Sequence, residues 1–535
     1  MNRLFYGDNL EVMRDKSFFP DEFVDLVYLD PPFNSDRKYS VIFKNKGGQE
    51  SDAQIVAFDD TWTWSQDDER LLKELKVSAA TPVVDALTGI QKLLGPSDML
   101  SYLVMMTARI IELRRILKKT GSIYLHCDPV ASHYLKVLCD AVFGPANFRS
   151  EITWIRTTTH NDAKRWSPNS DTILYYGKSD DVVWNPVYLP HSEDYVKSKY
   201  TKSNADGRVF RLDNMTSPNP RPNLTYEWMG FAPPRNGWRY SRETMQKLHD
   251  EDRIWYPEDK SKRPQLKRYL DEQPGPVCGD VWTDISPLNS QAKERLGYPT
   301  QKPLALLERI VKASSNEGDV VFDPFCGCGT AVDAAQRLNR QWVGIDITYL
   351  AIDLIENRLE KTYGPDIRKT YEIIGIPRDV FGARALFEKN PFDFERWVVS
   401  LVDGHPNAKQ VADKGSDGTI RFWKNRDELG EVNISVKGGA QINPSMVRDL
   451  VGTVLRRQSE MGLLILLTPP TKGMVEEANL SGEYVHEMTG QVYPKIQLIT
   501  VDQLLAGIRP KMPTPENPYF TPERFVPQAT SLPGL

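Results

Sequence analysis

The chain has 535 residues, 40% hydrophobic and 26% charged, and this length predicts two or three domains that can each bury a core. The formal net charge of -5 argues against a protein that coats nucleic acid through overall basicity, so nucleic-acid contacts would need a local basic patch. Five scattered cysteines predict reduced thiols and exclude a disulfide framework. Because the sequence lacks an apolar run of about 18 residues and a signal-peptide pattern, we expect a cytoplasmic protein.

The first segment of the chain, up to about residue 146, alternates apolar strands with amphipathic helices. Residues 23–30 form a short apolar run that stops at Pro31-Pro32, as expected for a central strand of a parallel sheet. Apolar residues at helical spacing over 99–118 predict a helix that Thr120-Gly121 ends, followed by a strand in SIYLHCD.

The next segment, 147–296, is rich in Pro, Trp, Arg and Asn, and its weak periodicity predicts an irregular insertion that carries recognition loops. Within it, residues 252–269 combine aromatic residues with Lys260, Lys262, Arg263, Lys267 and Arg268, a composition typical of nucleic-acid contacts but also of solvated surface. From residue 297 the α/β rhythm returns, with one strand that ends at Asp323 and another that ends at Asp346.

Beyond residue 364 we expect a linker, a small second α/β domain and a tail. The linker covers 365–390, and the proline-rich, extended tail covers 509–535. Between them, 391–508 is predicted to contain a helix, two strands, a helix over 444–461 and two more strands.

A glycine-rich turn follows the strand that ends at Asp323, and its sequence is DPFCGCGT. Glycines let the backbone approach a ligand closely, and the helix that follows presents free N–H groups. Asp346 ends the next strand, at the spacing where nucleotide-binding α/β folds place a carboxylate on ribose hydroxyls. The turn has no Walker lysine, which argues against a triphosphate and favours a nucleoside cofactor; the alternative is a tight turn with a capping aspartate.

The tetrapeptide Asp30-Pro31-Pro32-Phe33 supplies a second set of candidate groups. An exocyclic amino nitrogen is a poor nucleophile, and catalysis on it needs acceptors for its two hydrogens. The Asp30 carboxylate and the Pro31 carbonyl can fill those roles, while Phe33 offers a face on which an extruded base can stack. A nearby carboxylate would also stabilise positive charge on the nitrogen. The alternative is a structural turn at the end of a strand.

These motifs and their order resemble those of the beta-class DNA amino-methyltransferases. The matching segments are YGDN (6–9), YLDPPFN (28–34), GSIYLHCD (121–128), YPTQKP (298–303), FDPFCGCGT (322–330) and GID (344–346). The resemblance covers roughly the first 365 residues. It implies a Rossmann-like, S-adenosylmethionine-dependent methyltransferase of α/β class, with a catalytic half (1–146), an inserted target-recognition region (147–296) and a cofactor-binding half (297–364).

The resemblance also implies residue roles. Asp30, Pro31, Pro32 and Phe33 would be catalytic. The residues implied for the S-adenosylmethionine pocket are Asp8, Asn9, Thr300, Gln301, Lys302, Asp323, Phe325, Gly327, Gly329, Thr330 and Asp346. An aspartate at the start of the tetrapeptide is commoner in adenine N6 enzymes and serine in cytosine N4 enzymes, so adenine N6 is the preferred target and cytosine N4 the alternative.

The segment 391–508 resembles the PD-(D/E)xK fold in its restriction-endonuclease form. Glu395, Asp417 and Lys437 would occupy the acidic and lysine positions of that site, with Mg²⁺ on Asp417. Ser435 stands where the pattern has Glu or Gln, so cleavage is in doubt. The alternative is a βαβ domain in which Lys437 lies near the end of an edge strand.

The expected partner is double-stranded DNA, and the sequence leaves open both a restriction subunit and a second copy of the chain. A bifunctional enzyme that methylates and cleaves DNA is the alternative function. His126 is interpreted as a structural residue because a lone histidine at a strand end is more often hydrogen-bonded than bound to metal.

Overall fold

The computed structural model describes residues 2–31, 64–157, 166, 169–289, 292–296, 298, 300–406, 416–425 and 428–515, and the backbone alone of 38–44 and 50–59. The strands of the first half are β1 (Asn2–Tyr6), β2 (Val24–Leu29), β3 (Lys38–Lys44), β4 (Glu50–Asp59), β5 (Leu117–Cys127), β6 (Phe148–Ile155), β7 (Ser170–Gly177), β8 (Lys202–Ser203), β9 (Val209–Asn214), β10 (Ile254–Trp255) and β11 (Gln265–Tyr269). The later strands are β12 (Val281–Trp282), β13 (Val320–Asp323), β14 (Gln341–Asp346), β15 (Tyr371–Ile374), β16 (His405–Pro406), β17 (Gly418–Trp423), β18 (Leu429–Lys437), β19 (Met461–Leu466), β20 (Glu483–Val485), β21 (Val492–Pro494) and β22 (Ile496–Thr500).

Helices alternate with these strands through most of the chain. The helices of the first half are α1 (Asn9–Arg14), α2 (Gln66–Ser78), α3 (Thr81–Leu94), α4 (Asp98–Ile116), α5 (Ser132–Phe143), α6 (Glu193–Lys199) and α7 (Arg242–Asp250). The later helices are α8 (Leu304–Ser314), α9 (Thr330–Arg337), α10 (Tyr349–Tyr363), α11 (Val380–Lys389), α12 (Pro391–Ser400), α13 (Pro444–Arg457), α14 (Lys472–Leu480) and α15 (Val501–Leu505).

A nine-stranded sheet organises the first part of the fold, in the order β12-β6-β7-β5-β2-β13-β14-β1-β15. All pairs are parallel except the two that involve β7. The central strands β2 and β13 are buried along their whole length, as the continuous apolar runs predict. Helices α2 to α5 pack on this sheet in one hydrophobic cluster.

The predicted helix boundary at Thr120-Gly121 is wrong. The helix α4 ends at Ile116 and β5 begins at the next residue, so Gly121 lies inside the strand. A Cβ atom on Gly121 would lie 2.8 Å from the Leu117 side chain and 3.0 Å from the Asp25 carbonyl oxygen. Close approach of neighbouring backbone therefore requires the glycine, and it does not act as a helix stop.

The insertion is smaller and more regular than the sequence predicts. Contacts divide the described chain into one unit of 1–185 and 280–535 and a second unit of 186–279. The strands β6, β7 and β12 fall within the predicted insertion 147–296 but belong to the nine-stranded sheet. The second unit contains the antiparallel sheet β10-β11-β9-β8 and a core that includes Trp228 and Trp238. Its strands have only two to six residues, too few to show a period in the sequence.

The segment 365–390, expected to be a linker, carries regular structure. Its strand β15 pairs in parallel with β1 and adds the last strand of the nine-stranded sheet, and its helix α11 leads directly to α12. An apolar core under α11 and α12 includes Tyr349 of α10 together with Phe394 and Trp397 of α12. The region after residue 390 thus shares a core with the first 364 residues.

The segment 391–508 has the expected α/β character. Its sheet has the order β16-β17-β18-β19-β22, in which β17 and β18 are antiparallel and β18, β19 and β22 are parallel. The predicted helix over 444–461 ends earlier, at Arg457, because Gln458 adopts a left-handed conformation that caps it. The described start of the tail packs on this sheet through hydrogen bonds between Gln497 and Lys511. Within the described residues, every helix is too short or too polar to cross a membrane.

Candidate active site

Three aspartates lie at the carboxyl ends of three neighbouring parallel strands. Asp30 follows the last residue of β2, Asp323 ends β13 and Asp346 ends β14. Because β13 pairs with both β2 and β14, all three carboxyl groups lie at the edge where open α/β sheets bind ligands. The structure therefore brings the residues implied for catalysis and for cofactor binding to one edge of the sheet.

The glycine-rich turn between β13 and α9 needs glycine at two positions. Gly327 and Gly329 have positive φ angles of 48° and 73°. A Cβ atom on Gly329 would lie 2.8 Å from Ile355, and one on Gly327 would lie 3.1 Å from the Tyr298 ring. The turn therefore presents backbone in place of side chains, and it is covered by Tyr298, which sequence analysis did not assign to the site although it lies in the same loop as Thr300.

Asp346 braces this turn. One carboxylate oxygen accepts a 2.9 Å hydrogen bond from the Gly327 N–H, and the other accepts bonds from the Thr348 N–H and hydroxyl at 2.9 and 2.8 Å. Burial raises the pKa of Asp346 to about 6, although these hydrogen bonds act in the opposite direction. The oxygen that faces Gly327 accepts only one of these bonds and keeps acceptor capacity, so the carboxylate can still receive a hydroxyl group of a ligand.

Asp323 is the most deeply buried of the three acids. It accepts a 3.0 Å hydrogen bond from the Phe325 N–H, which shapes the first residues of the turn. Burial raises the pKa of Asp323 well above its ordinary value, and the negative charges of Asp30 and Asp346 act in the same direction. A cationic ligand group beside Asp323 would relieve this repulsion.

Asp8 and Asn9 lie behind the turn. Asn9 donates a 2.7 Å hydrogen bond from its side-chain amide to the carbonyl oxygen of Pro324. The buried guanidinium of Arg109 donates to the Asn9 side-chain oxygen at 2.5 Å and to the Asp8 carboxylate at 2.9 Å. Asp8 also caps α1 by accepting from the N–H groups of its first turn. Their described contacts are with protein groups that support the turn.

The three residues 300–302 divide between two roles. Lys302 donates to both oxygens of Asp30, at 2.8 and 2.6 Å, so its described partner is the catalytic candidate. Gln301 spans the preceding loop, donating to the Glu294 carbonyl and accepting from the Leu296 N–H. Thr300 lies half-buried between this loop and α8.

Thr330 begins α9 and is held by a second buried arginine. Arg358 of α10 donates to the Thr330 hydroxyl at 3.3 Å and to the Cys328 carbonyl at 3.1 Å. It also pairs with Asp333 at 2.8 Å. Sequence reasoning missed Arg358 and Arg109, although each is an arginine within an apolar helical stretch, which is the available signal for a buried, partnered cation.

The structure supports the structural interpretation of His126. Its ring nitrogens bond to the Tyr28 hydroxyl at 2.9 Å and to the Asp171 carboxylate at 3.1 Å. Arg156 lies 3.0 Å from the other Asp171 oxygen. In the candidate catalytic tetrapeptide, Pro31 is buried, whereas Pro32 and Phe33 lie outside the described residues.

The basic segment 252–269 offers fewer free charges than its sequence suggests. Lys267 is buried and pairs with Asp252 at 2.8 Å, and Arg268 pairs with Asp213 at 3.5 Å. The ammonium of Lys260 lies 3.8 Å from the centre of the Phe231 ring. Arg253 pairs with Glu272 at 2.6 Å, whereas Lys262 and Arg263 are exposed in the turn between β10 and β11.

In the candidate nuclease site, Asp417 lies close to Ser435 and Lys437 of the neighbouring strand β18. Asp417 accepts hydrogen bonds from the Val436 N–H at 2.6 Å and the Ser435 hydroxyl at 3.2 Å, and Lys437 lies 3.7 Å away. Glu395 lies half-buried on α12. Among the described residues, His, Cys, Asp and Glu nowhere form a group of three that could hold a metal ion. The Mg²⁺ expected at Asp417 therefore gains no support.

The comparison with protein families matches the part of the chain that carries the site. Residues 24–357 match the N6/N4 methyltransferase family, described as DNA methylase. The chain belongs to this DNA methylase family. The matched residues include all three carboxylates, the glycine-rich turn and the second unit of the methylase.

Curated relatives agree with this membership. The methylase is 34% identical to the type II methyltransferase M.EcaI of Enterobacter cloacae over 48% of this chain and 57% of the relative. It is 26% identical to the StyLTI Mod subunit, a type III restriction-modification protein of Salmonella typhimurium, over 64% of this chain and 50% of the relative. The EcoPI Mod subunit of Escherichia phage P1 is 23% identical over 98% of this chain and 80% of the relative. The chain thus spans about half the length of the first two relatives.

Proposed function

We propose that the methylase transfers a methyl group from S-adenosylmethionine to an exocyclic amino group of a base flipped out of double-stranded DNA, with adenine N6 as the preferred target. One observation carries the proposal: Asp30 directly follows β2, and β2 pairs with β13, the strand that leads into the glycine-rich turn. An acceptor for amino hydrogens would then lie beside the group that holds the methyl donor.

The residues of the turn fit S-adenosylmethionine. Gly327 and Gly329 expose backbone where any side chain would collide with Tyr298 or Ile355, so a ligand can lie against the main chain. Asp323 supplies a buried negative charge for the ammonium of the methionine half, and Asp346 supplies carboxylate oxygens for ribose hydroxyls. When bound, S-adenosylmethionine would supply an electrophilic methyl group on its sulfonium, and its sulfur would keep the electron pair of the broken methyl–sulfur bond as a neutral thioether.

Asp30 and Pro31 would act on the target base. The Asp30 carboxylate and the Pro31 carbonyl each accept a hydrogen bond from one N–H of the amino group. These two bonds orient the nitrogen lone pair toward the methyl group. As the nitrogen forms its new bond to carbon it becomes cationic, and the Asp30 carboxylate stabilises this charge and accepts the departing proton. Pro32 and Phe33 would complete the base pocket by backbone rigidity and stacking.

The second unit would contact DNA. Its fold places Lys262 and Arg263 together in an exposed turn, and its core supplies the rigid aromatic support that such loops need. A restriction subunit as partner is supported by the relationship to the EcoPI Mod subunit, which extends over 98% of this chain. Ser435, which stands in place of a metal-binding Glu or Gln, argues against cleavage by 391–508, so we propose a supporting role in place of nuclease activity.

Methylation of duplex DNA with a radiolabelled methyl donor tests the function. After digestion to nucleosides, we expect label in N6-methyladenine, and label in N4-methylcytosine would replace the preferred target with the alternative. The Asp30→Asn variant should lose at least about a hundredfold in rate, while the Asp417→Ala control should keep the wild-type rate. Absence of methyl transfer by the wild type to any duplex would contradict the proposal. If the wild type cleaves DNA with Mg²⁺ and Asp417→Ala does not, the segment 391–508 would be a nuclease after all.

A further inference from the structure

The ammonium group of Lys302 forms a bidentate ion pair with the carboxylate of Asp30. Both carboxylate oxygens accept from the Lys302 Nζ, at 2.8 and 2.6 Å. The two side chains are only 10% and 15% exposed, so water screens the pair weakly. Lys302 lies just before α8, 272 residues further along the chain, and was implied to be a cofactor residue.

The surroundings of this pair are acidic. The titratable groups that interact with Asp30 or Lys302 are Tyr28 on β2, Asp323 on β13, Tyr298 in the loop over the turn, Cys328 in the turn and Asp171 on β7. Two buried carboxyl groups at neighbouring strand ends repel each other when both are ionised, and one of them then tends to hold a proton. A paired cation offsets that repulsion at Asp30.

We propose that Lys302 is a positioning residue for methyl transfer: it fixes the orientation of the Asp30 carboxylate through hydrogen bonds to both of its oxygens. The inference rests on the proposed function. A bidentate contact leaves the remaining lone pairs of Asp30 in defined directions, so the amino hydrogen of the base meets a preset acceptor. The role differs from cofactor binding, because Lys302 acts through Asp30.

Substitution of Lys302 separates these roles. In Lys302→Met, we expect kcat at pH 7.5 to fall at least about tenfold. The affinity for S-adenosylmethionine, measured by calorimetry, should change less than threefold, as should KM for DNA. Lys302→Arg, which keeps the charge and the hydrogen-bond donors, should recover most of the lost kcat.

Lys302→Gln is the second neutral variant and should show the same loss of kcat at unchanged KM if Lys302→Met does not fold. Lys312→Met is the matched control, since Lys312 forms an exposed ion pair with Glu308, and both residues lie on α8. A wild-type kcat in a folded neutral variant would overturn the proposal, and so would a weaker cofactor affinity with unchanged kcat. If the wild type does not methylate DNA, the proposed function fails instead; if it methylates and the neutral variants match it, only the role of Lys302 fails.

Discussion

The side-chain amide of Asn9 donates a 2.7 Å hydrogen bond to the carbonyl oxygen of Pro324, and thereby joins two segments 315 residues apart. The same asparagine accepts from Arg109, so its amide links a buried arginine to the glycine-rich turn. Asn9 and Arg109 can therefore control the shape of the glycine-rich turn.

Asn9→Ala should weaken S-adenosylmethionine binding roughly tenfold and lower the free energy of unfolding by about 1–3 kcal/mol, because Arg109 and the Pro324 carbonyl lose a buried partner. Calorimetry and thermal unfolding measure the two effects. Asn147→Ala is the matched control, since Asn147 makes the same amide-to-carbonyl bond to Phe143 far from the turn. An unchanged dissociation constant in Asn9→Ala would contradict this support role.

Cofactor affinity should depend on the ionisation of Asp346. Burial raises the pKa of Asp346 to about 6, above the ordinary value near 3.8, so the free protein takes up a proton as the pH falls through 6. The protonated carboxyl group accepts ribose hydroxyls less well, and affinity should fall by up to about tenfold for each pH unit below 6. Calorimetry between pH 5 and 8 measures this slope.

The variant Asp346→Asn separates the contribution of Asp346 to the pH dependence of cofactor affinity from that of the neighbouring Asp323. We expect its affinity to be lower at pH 7.5 and nearly independent of pH between 5 and 7. The sign for stability is opposite: the raised pKa makes Asp346 stabilise the free protein below pH 4, and this contribution is lost as the pH rises to about 6. An affinity that is flat with pH in the wild type would exclude this carboxylate from binding.

Removal of the segment after residue 390 should destabilise the first 364 residues. Tyr349 of α10 shares a core with Trp397 of α12, and Tyr6 of β1 forms a hydrogen bond with Asp393. Trp397→Ala should lower the free energy of unfolding by about 3–5 kcal/mol. The control is Phe381→Ala, because that phenylalanine is 83% exposed. If a chain that ends at residue 390 melts at the wild-type temperature, the shared core contributes nothing.

The exposed turn of the second unit should supply DNA affinity through charge. The double variant Lys262→Ala and Arg263→Ala should reduce the slope of log affinity against log salt by up to about 2, since each phosphate contact contributes roughly 0.9. Lys267→Met should instead lower stability and leave the slope unchanged, because Lys267 is buried against Asp252. Binding to one duplex at several salt concentrations measures both; an unaltered slope in the double variant would place the contact elsewhere.

The sequence predicts the strand ends of the site well, because apolar runs that stop at Asp30, Asp323 and Asp346 define parallel strands whose carboxyl ends share one edge. It does not predict the long-range partners. Lys302 and Asp30 are 272 residues apart in the sequence, and no local pattern links residues at that separation. A cofactor role for Lys302 therefore followed from its motif alone, and the motif does not identify its partner.

Secondary structure is likewise predicted where a local pattern defines it and missed where tertiary contacts define it. The helix α10 and the strand β14 are confirmed because their periodicity extends over several turns or a full apolar run. The strand β15 was missed because four residues, three of them only half-buried, resemble a connecting segment. Its pairing with β1 depends on tertiary contacts that no local pattern records.

The position of β1 between β14 and β15 has a consequence for biosynthesis. The hydrogen bond from the Trp342 N–H to the Asn2 side chain joins residues 340 apart, so β1 leaves the ribosome long before either neighbouring strand exists. At a translation rate of roughly 5 to 20 residues per second, the backbone groups of β1 lack these strand partners for about 20 to 70 s. During that interval the nascent methylase presents an open strand edge, and holdase chaperones that shield such edges would raise the yield of folded protein.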